Sequence, residues 1–497
     1  MTERRLTYSF GPLERRGLLG PLRAGQAVLL GTGLLAAIVI LNQAPSAGSA
    51  LAAVTVALSA VAACFVPVHG RTGVDWTPVV LAFWTRRLTG RAVLRSPVAT
   101  AGTRATLPGR LGRRTEPAAV TPAALTGVRI VSASYRDRSV GALAERSGRR
   151  LTAVLACRVR AFSLLDPEAQ ERRLARWGLV LSGVAGTAVR RIQWIERTAP
   201  AQGDELARWV HDERDPAVPL RGTPMIESYL ELISSSASVT QEHEILLAVQ
   251  VDAPRIRDRR GAAPMTELVE QIERIAQGLE AAEVTVLGAL GPEQLARTLR
   301  TAFDPYARTE LAAVEAADPE RAGLSEVNAW PLGTHEAWDQ YRADGAVHAT
   351  YWIAAWPRIE VSPMFMDALL GHSSAVRTVA VTFESLAPDR STREVEAAVT
   401  RDRADRELRA RFGQSETARQ RQTADATMRR EAELAAGHAE VRLSGFVTVS
   451  GRDLQDLRRG SAEVLEHAAR ARLELHRLYG QQAAAFTFTL PLCRGLR

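Results

Sequence analysis

Histidine and serine provide the first candidates in this chain for a catalytic or metal-binding site. A zinc-protease motif places two His four positions apart on one helix face, with a Glu beside the first. The nine His are scattered and form no such pair, and we interpret His243, which precedes Glu244 at the start of a predicted strand, as structural. The segment GHSSA at 371–375 contains the Ser of a nucleophile elbow, but it follows a predicted helix and lacks the second Gly. We therefore expect no catalytic residue, no metal site and no cofactor.

The absence of lysine excludes one class of enzyme. A phosphate-binding P-loop ends in a Lys whose ammonium contacts the nucleotide phosphates. All 63 basic residues of the chain are Arg. These 497 residues therefore do not contain a functional P-loop.

Composition indicates a folded, basic protein of two or three domains. The formal net charge is +8 and the pI is near 10.0, a balance that favours nucleic acid or the anionic cytoplasmic face of a membrane. The Arg- and Trp-containing stretches ERRLARW and RRIQWIER fit a solvated helix face and a two-faced strand equally well, so we expect nucleic-acid contact only indirectly. Cys64, Cys157 and Cys493 form no CxxC pair, which argues against a zinc site and fits a reducing compartment.

A long uncharged segment near the N-terminus predicts two membrane helices. Residues 24–69 contain no Asp, Glu, Lys or Arg, and two apolar runs, 25–41 and 49–68, flank a turn at Pro45 and Gly48. Crossing ~30 Å of hydrocarbon takes about 20 helical residues, so each run is long enough and the short loop makes an antiparallel hairpin. A cleaved signal peptide would not be followed at once by a second apolar run; a buried helical hairpin is the other alternative.

Arginines on both flanks of the hairpin predict its orientation. The uncharged connecting loop lies between two basic flanks, and the excess of Arg marks the cytoplasmic side. We therefore expect an inner (plasma) membrane protein with both termini in the cytoplasm. The flanking residues are Arg4, Arg5, Arg15, Arg16 and Arg23 before the hairpin, and Arg71, Arg86, Arg87, Arg91 and Arg95 after it.

The segment after the hairpin, TPVVLAFWTRRLTGR, predicts an interfacial helix. Thr77 is its expected N-cap, with Pro78 at the first helical position. Aromatic residues on one face would lie at headgroup depth and guanidiniums on the other would bind anionic lipid phosphates. The expected membrane-interface residues are Trp76, Trp84, Arg86, Arg87 and Arg91. The alternative is an ordinary amphipathic helix packed on the soluble body.

Beyond the hairpin, the pattern predicts a linker and an α+β body with α/β-like alternation of strands and helices. The predicted divisions are a basic cytoplasmic tail (1–24), the transmembrane hairpin (25–68), a juxtamembrane amphipathic helix (69–95), a linker (96–127), an α/β subdomain (128–330) and a second α/β subdomain (331–497) with a polar helical hairpin at about 393–438. Predicted strands lie at 128–134, 151–163, 189–197, 243–252, 284–289 and 441–451, and predicted helices begin at 167, 226, 265, 292 and 454, the last of them running to 476. Asp166 is the expected N-cap of the helix that begins at Pro167.

The C-terminal stretch AAFTFTLPL predicts a further strand. Ala484, Phe486, Phe488 and Leu490 fall on one side and Thr487 and Thr489 on the other, the two-residue period of a half-buried strand. A strand needs a partner, so we expect Phe486, Phe488 and Leu490 to form a docking surface for another polypeptide.

Several stretches carry a family resemblance. They are RRLTAVLACRVRAFSLLDPEAQERRLARWGLVLSGVAG, VRRIQWIER, IESYLELISSSASVTQEHEILLAVQVD, ATYWIAAWPRIEVSPMFMDALLG, VRTVAVTFESLAP, FVTVSGRDLQDLRRG and YGQQAAAFTFTLPL. Their order resembles the N-terminal, non-catalytic domain of the secretion ATPase of type IV secretion and conjugation machines. The hairpin with GRTGVDWTPVVLAFWTRR is similar to the small two-helix, PrgI-like inner-membrane subunit of the same machines. In that family the ending precedes the ATPase domain, which is absent here, and no catalytic residue carries over.

The resemblance implies a non-enzymatic inner-membrane scaffold of a type IV-like secretion apparatus, which docks a separate P-loop ATPase. Its expected partners are anionic lipid headgroups, that ATPase, other secretion subunits and further copies in a homo- or hetero-oligomer. A more distant resemblance, to the two-helix EccE component of type VII secretion, is the first alternative, although the YxQ…F…LPL ending does not fit it. A membrane-tethered enzyme with an unfamiliar site is the second.

Overall fold

The structure is a computed structural model, and it describes most of the chain. The described residues are 24–43, 46–96, 120–135, 138–146, 148–159, 162–200, 224–225, 228, 241–255, 264–308, 310–311, 326–357, 359–371, 373–411, 418–435 and 439–496. The basic N-terminal tail, most of the linker, the helix expected from 226 and Gly413 lie outside these residues.

Eleven α-helices have described bounds within these ranges. They are α1 (Ala24–Gln43), α2 (Ala47–Phe65), α3 (Gly73–Leu88), α4 (Pro167–Gly183), α5 (Pro264–Ala281), α6 (Pro292–Phe303), α7 (Asp367–Leu370), α8 (Pro388–Arg411), α9 (Ala418–Ala435), α10 (Leu454–Arg470) and α11 (Gln482–Phe486). Their ends follow local signals. The Asp166 carboxylate accepts a hydrogen bond from the Ala169 amide at 2.7 Å and Pro167 occupies the first turn of α4, so the predicted N-cap is confirmed.

The described strands form one sheet in which every pair is antiparallel. They are β1 (Val93–Arg95), β2 (Arg129–Tyr135), β3 (Arg138–Glu145), β4 (Arg150–Arg158), β5 (Val189–Pro200), β6 (Gln241–Asp252), β7 (Thr285–Ala289), β8 (Gly333–Glu336), β9 (Tyr341–Ala343), β10 (Ala346–Ala355), β11 (Val376–Ser385), β12 (Val441–Gly451) and β13 (Glu474–Arg477). The sheet order is β1-β8-β9-β10-β12-β11-β5-β6-β4-β3-β2, with β13 beside β10 and β7 beside β4.

The strand order contains the same motif twice. The first repeat runs β4-α4-β5-β6-α5-β7 with the spatial order β7-β4-β6-β5, and the second runs β10-α7-β11-β12-α10-β13 with the order β13-β10-β12-β11. Both are split βαβ units, in which a later strand enters between the two strands that a helix connects. The expected α+β composition is confirmed, but α/β-like parallel pairing is not found among the described strands, because that inserted strand separates the parallel ones.

The two repeats join edge to edge through β5 and β11. Their pairing extends from Arg377 opposite Thr198 to Phe383 opposite Ile192. Each repeat lies within one of the two predicted subdomains, so these subdomains share a sheet. The boundary near residue 330 stays a prediction.

Layers of apolar side chains cover both faces of the sheet. On one face α4 and α5 pack on the first repeat around Ile192, Leu268 and Ile272, and α10 packs on the second around Val447 and Val464. On the other face lie α6, α11 and the C-terminal residues, with a core that includes Leu295, Phe303, Phe486 and Leu490. The alternation of β6 supplies both layers, since Leu246 and Ala248 face one way and Leu247 and Val249 the other.

The C-terminal residues do not form the predicted strand. Residues 482–486 are helical, and residues 487–496, here called the strap, cross the sheet as turns and irregular backbone. The strap's backbone bonds to strand side chains: Gln193 donates to the Phe488 carbonyl at 2.7 Å and accepts from the Cys493 amide at 2.8 Å. The prediction was wrong because the alternating Phe and Leu residues are held by the sheet's face and not by a neighbouring strand. A second error is the end of α10, since residues 474–476, expected as helix, lie in β13 (Glu474–Arg477).

Candidate functional site: the junction between the apolar hairpin and the body

Helices α1 and α2 pack closely against each other. A Cβ at Gly33 would lie 2.6 Å from the Cβ of Ala60, so only Gly allows this approach. At the end nearest the body, the Gln26 side chain donates to the Cys64 carbonyl at 2.8 Å. Both helices are long and apolar enough to cross a membrane.

Most large apolar side chains of this hairpin are exposed. They are Val28, Leu34, Leu35, Ile38, Val39, Leu41, Leu51, Val54, Leu58, Val61 and Phe65. A soluble protein rarely exposes so large a contiguous apolar surface, which marks an interaction or membrane surface. The hairpin therefore needs an apolar environment.

A tight turn leads from α2 into α3. Val68 and Arg71 pair across it, and His69 and Gly70 adopt positive φ of 49° and 75°. A Cβ at Gly70 would lie 2.1 Å from the His476 ring, so Gly is required both by the backbone and by the contact with the body. The turn is held against β13.

Helix α3 begins five residues earlier than expected. Its N-cap is Thr72, whose backbone amide and hydroxyl both donate to the Asp75 carboxylate, the latter at 3.0 Å. Thr77 is therefore not the cap, and Pro78 lies inside the helix. The sequence TPV is typical of a helix start, but the Thr72–Asp75 pair provides the stronger signal.

One face of α3 packs on the loop after β8. The Trp76 ring stacks on Trp338 with centroids 5.8 Å apart, and Phe83 meets the same ring edge-on at 5.1 Å. The Trp76 indole nitrogen donates to the Val68 carbonyl at 2.9 Å. Because Phe83 is only 4% exposed, this is an interior contact between α3 and the body.

An ion pair reinforces the same face. Arg86 donates from Nε to the Glu336 carboxylate at 2.9 Å and from Nη2 to the Gly480 carbonyl at 2.6 Å. The Glu336 side chain is 2% exposed and also accepts from the Ala483 amide at 3.1 Å. We use the term junction for residues 66–88 together with Glu336, Trp338, His476 and residues 479–481.

The five predicted interface residues separate into two groups. Trp76 and Arg86 turn toward the body, which corrects the expectation that they face lipid: Trp338 and Glu336 provide an aromatic ring and a carboxylate for them. Trp84, Arg87 and Arg91 are exposed. The contacts support a helix packed on the soluble body for one face of α3 only.

The body side of the junction was missed by sequence reasoning. Glu336 and Trp338 lie 250 or more positions from their partners in α3, and Gly480 lies 394 positions from Arg86. Such long-range contacts leave no periodic signal. The close fit at Gly480, where a Cβ would lie 2.6 Å from the Trp338 ring, is likewise visible only in three dimensions.

The predicted C-terminal docking residues lie inside the body. Phe486 and Leu490 are 2% and 1% exposed, and the half-buried Phe488 packs on Phe446 with centroids 4.8 Å apart. This arrangement contradicts a docking surface built from the three residues, because the protein's own sheet already covers them.

The other residues that could do chemistry are held structurally. His243 lies 3.2 Å from the Glu196 carboxylate, whose pKa is raised by burial. The hydroxyls of Ser373 and Ser374 both donate to Glu463. A cavity beside Arg197 and Thr489 has a volume of about 10 Å³, room for roughly one water. Within the described ranges no cluster of His, Cys, Asp and Glu suits a metal ion.

Comparison with known proteins identifies no family for this chain. No protein-family model matches the chain, and no curated protein matches it.

Proposed function

We propose that this protein is a non-enzymatic inner-membrane scaffold of a type IV-like, conjugation-type secretion apparatus, which anchors and docks a separate P-loop ATPase. The observation that carries the proposal is the junction: two exposed apolar helices are joined to a large folded body through buried aromatic and ionic contacts. A flexible tether would localise a domain, whereas this junction fixes its orientation to the membrane.

The hairpin supports a membrane anchor with both ends of the chain in the cytoplasm. Its helices suit a bilayer by length and composition. Arginines flank it on both sides and the connecting loop is uncharged, which favours cytoplasmic flanks. In this orientation the whole body lies in the cytoplasm, where ATP is available to a partner.

The motor is proposed to be a separate chain because these residues contain no Lys, and a P-loop requires one. The stretches that resemble the non-catalytic domain of secretion ATPases make a P-loop ATPase of that class the expected partner. Since Phe486 and Leu490 are buried, the contact surface must lie elsewhere on the body.

The helical arm formed by α8 and α9 is the surface we propose for this contact. At ~1.5 Å per residue, the 24 residues of α8 extend about 36 Å. Among the described side chains of the arm, those that are buried lie in the half of the arm nearer the body: Ser391, Val395, Ala398, Val399 and Thr427. Arg442 pairs with Glu394 at 2.5 Å there, and Arg430 pairs with Glu440.

Affinity purification of the full chain from its native membrane in mild detergent tests the proposal. We expect a P-loop ATPase of the conjugation class to co-purify, and the chain to remain in the membrane after a carbonate wash. Recovery of type VII secretion components instead would favour the EccE-like alternative.

Two results would contradict the proposal. One is ATP hydrolysis by the purified chain alone. The other is release of the chain by carbonate, which would exclude the anchor. Turnover of another substrate by the purified chain would favour the tethered-enzyme alternative.

A further inference from the structure

The outer face of α3 is apolar and lies opposite the face that packs on the body. Helical residues three and four apart share a face, and the exposed residues have this spacing. Leu81, Trp84 and Leu88 are 65%, 53% and 81% exposed. Phe83 and Arg86, on the other side, are engaged by Trp338 and Glu336.

The position of α3, next to the ends of both apolar helices, indicates which environment its outer face meets. A Cβ at Gly73 would lie 2.9 Å from the Ala63 carbonyl oxygen, and one at Gly25 would lie 3.0 Å from Val74. The helix therefore begins in contact with the body-side ends of both apolar helices. If those helices cross a bilayer, the start of α3 is at the level of the headgroups.

The charges around this face suit an anionic lipid surface. Arg87, in the last turn of α3, and Arg91, in the turn that follows the helix, are both exposed. Asp75, the acidic residue of α3, lies in its first turn, bonded to Thr72. An apolar stripe flanked by guanidiniums is the pattern of a helix that lies in the plane of an anionic membrane surface.

We propose that the outer face of α3, made of Leu81, Trp84, Arg87 and Leu88, together with Arg91 from the turn after the helix, lies in the headgroup layer and binds anionic phospholipid. The proposal rests on the membrane anchor proposed above and deepens it. Helix α3 is then shared by two partners: lipid holds its outer face, and the body holds Trp76, Phe83 and Arg86. The bilayer surface thereby sets the tilt of the body as well as its location.

Site-specific fluorescence in lipid nanodiscs tests this surface. Cys64, Cys157 and Cys493 are buried, so the unsubstituted full chain serves as the labelling control. Single cysteines at Leu81→Cys and Leu88→Cys carry the fluorophore NBD, in discs of phosphatidylcholine with or without phosphatidylglycerol. A quencher attached to the lipid headgroup then reports proximity.

Two further positions calibrate the readout. Leu58→Cys lies on the exposed side of α2 and reports insertion of the hairpin, with a quencher placed on the acyl chain. Leu465→Cys lies on α10, where the side chain is also exposed, and reports the body. We expect NBD at both α3 positions to lose about half of its emission in phosphatidylglycerol discs, and NBD at Leu465→Cys to lose none.

Each outcome decides a separate claim. Absence of quenching on α3, with Leu58→Cys quenched, overturns the inference and leaves the anchor intact. Absence of quenching at Leu58→Cys overturns the anchor and the inference together. Arg87→Gln with Arg91→Gln should remove the effect of phosphatidylglycerol; an unchanged effect overturns the assignment of these arginines to anionic headgroups.

Discussion

The Glu336 carboxylate shows why the body holds α3 firmly. It accepts two hydrogen bonds from Arg86 and one from the Ala483 amide, while its side chain is 2% exposed. A buried charge is stable only when it is paired and hydrogen-bonded. Arg86 is therefore required by the body, independently of any lipid.

Arg86→Gln should destabilise the junction, because it leaves the Glu336 charge buried without its partner. Breaking a buried ion pair in this way costs about 3–5 kcal/mol, and we expect a lower free energy of unfolding and faster hydrogen exchange in α3. Denaturant unfolding and exchange of the full chain in nanodiscs measure both. Arg87→Gln, one position along and exposed, is the matched control in discs of phosphatidylcholine alone, which offer Arg87 no anionic headgroup, with an expected change within about 0.5 kcal/mol. Equal effects of the two substitutions would show that the ion pair does not hold the helix.

His348 is a second buried polar residue with a defined role. Its Nε2 lies 2.9 Å from the Phe303 carbonyl oxygen and therefore donates, and its Nδ1, 2.8 Å from the Ser450 hydroxyl, accepts. The neutral ring satisfies both bonds. Burial lowers the pKa of His348 to about 4.

The lowered pKa predicts loss of stability in acid. The unfolded chain, with a His pKa of about 6.5, takes up the proton first as pH falls, so stability is complete above pH 6.5 and is lost as the pH approaches 4. The contribution amounts to about 3 kcal/mol. Denaturant unfolding at several pH values should show this slope, and His348→Gln should flatten it. An identical slope in the variant would assign the pH dependence to other groups.

At the scale of elements, the sequence predicts the helices and strands that have a local signal, such as a helix cap or an alternation of apolar residues. Asp166 and Pro167 give the start of α4, and apolar alternation gives β5 and β6, in agreement with the structure. Residues 484–490 have the same alternation, yet they form a short helix and turns, because Gln193 and Thr382 bind the strap's backbone. The alternation does not separate a buried from a solvent-facing side here, because Thr487 and Thr489 are also buried, at 2% and 4% exposed, and the Thr489 hydroxyl bonds to Thr448 of β12.

The junction could be predicted only in part for the same reason. The spacing of apolar residues in α3 indicates an amphipathic helix. The sequence does not show which of its apolar residues face the body and which are exposed. Trp76 and Trp84 are distinguished only by Trp338, which lies far away in the chain.

Shortening the arm formed by α8 and α9 should leave the stability of the body unchanged. The buried side chains described for this arm lie up to Val399 and again at Thr427, so replacing residues 402–424 with a short Gly-Ser linker keeps the base contacts. We expect an unchanged unfolding midpoint and loss of the co-purified ATPase, measured on the same membrane preparations. Retention of the ATPase by the shortened arm would place the docking surface elsewhere. Replacing the same residues with another Arg- and Glu-rich helical hairpin tests whether the ATPase recognises the sequence of the arm or only its size and charge.

At the scale of the whole molecule, the strap connects the two repeats. Its backbone accepts hydrogen bonds from Gln193 and Gln250 in the first repeat and from Thr382 in the second. Its Arg494 pairs with Glu145, and Nε lies 2.8 Å from the carboxylate. A segment from the far end of the chain thus supplies hydrogen-bond partners to Gln193, Gln250 and Thr382 on this sheet face.

Gln193→Leu should loosen both repeats together. The change leaves the Phe488 carbonyl and the Cys493 amide without their partner, and each buried group left unsatisfied costs about 1–3 kcal/mol. Hydrogen exchange should accelerate in β5 and β6 and also in β11 and β12. Acceleration confined to β5 would show that the strap does not couple the repeats. Arg172→Gln, on the exposed side of α4, is the control.

The strap also sets an order of events during synthesis. Glu145 and Arg494 are 349 positions apart, and a ribosome adding about 5–20 residues per second needs tens of seconds to span that interval. On the proposed membrane anchor, the hairpin reaches the membrane-insertion machinery before the strap is synthesised, so the chain would be inserted before the strap can bind the sheet. Nascent chains stalled at residue 477 should therefore be inserted yet readily digested by protease, and chains stalled well after residue 497 of an extended reporter fusion should resist it.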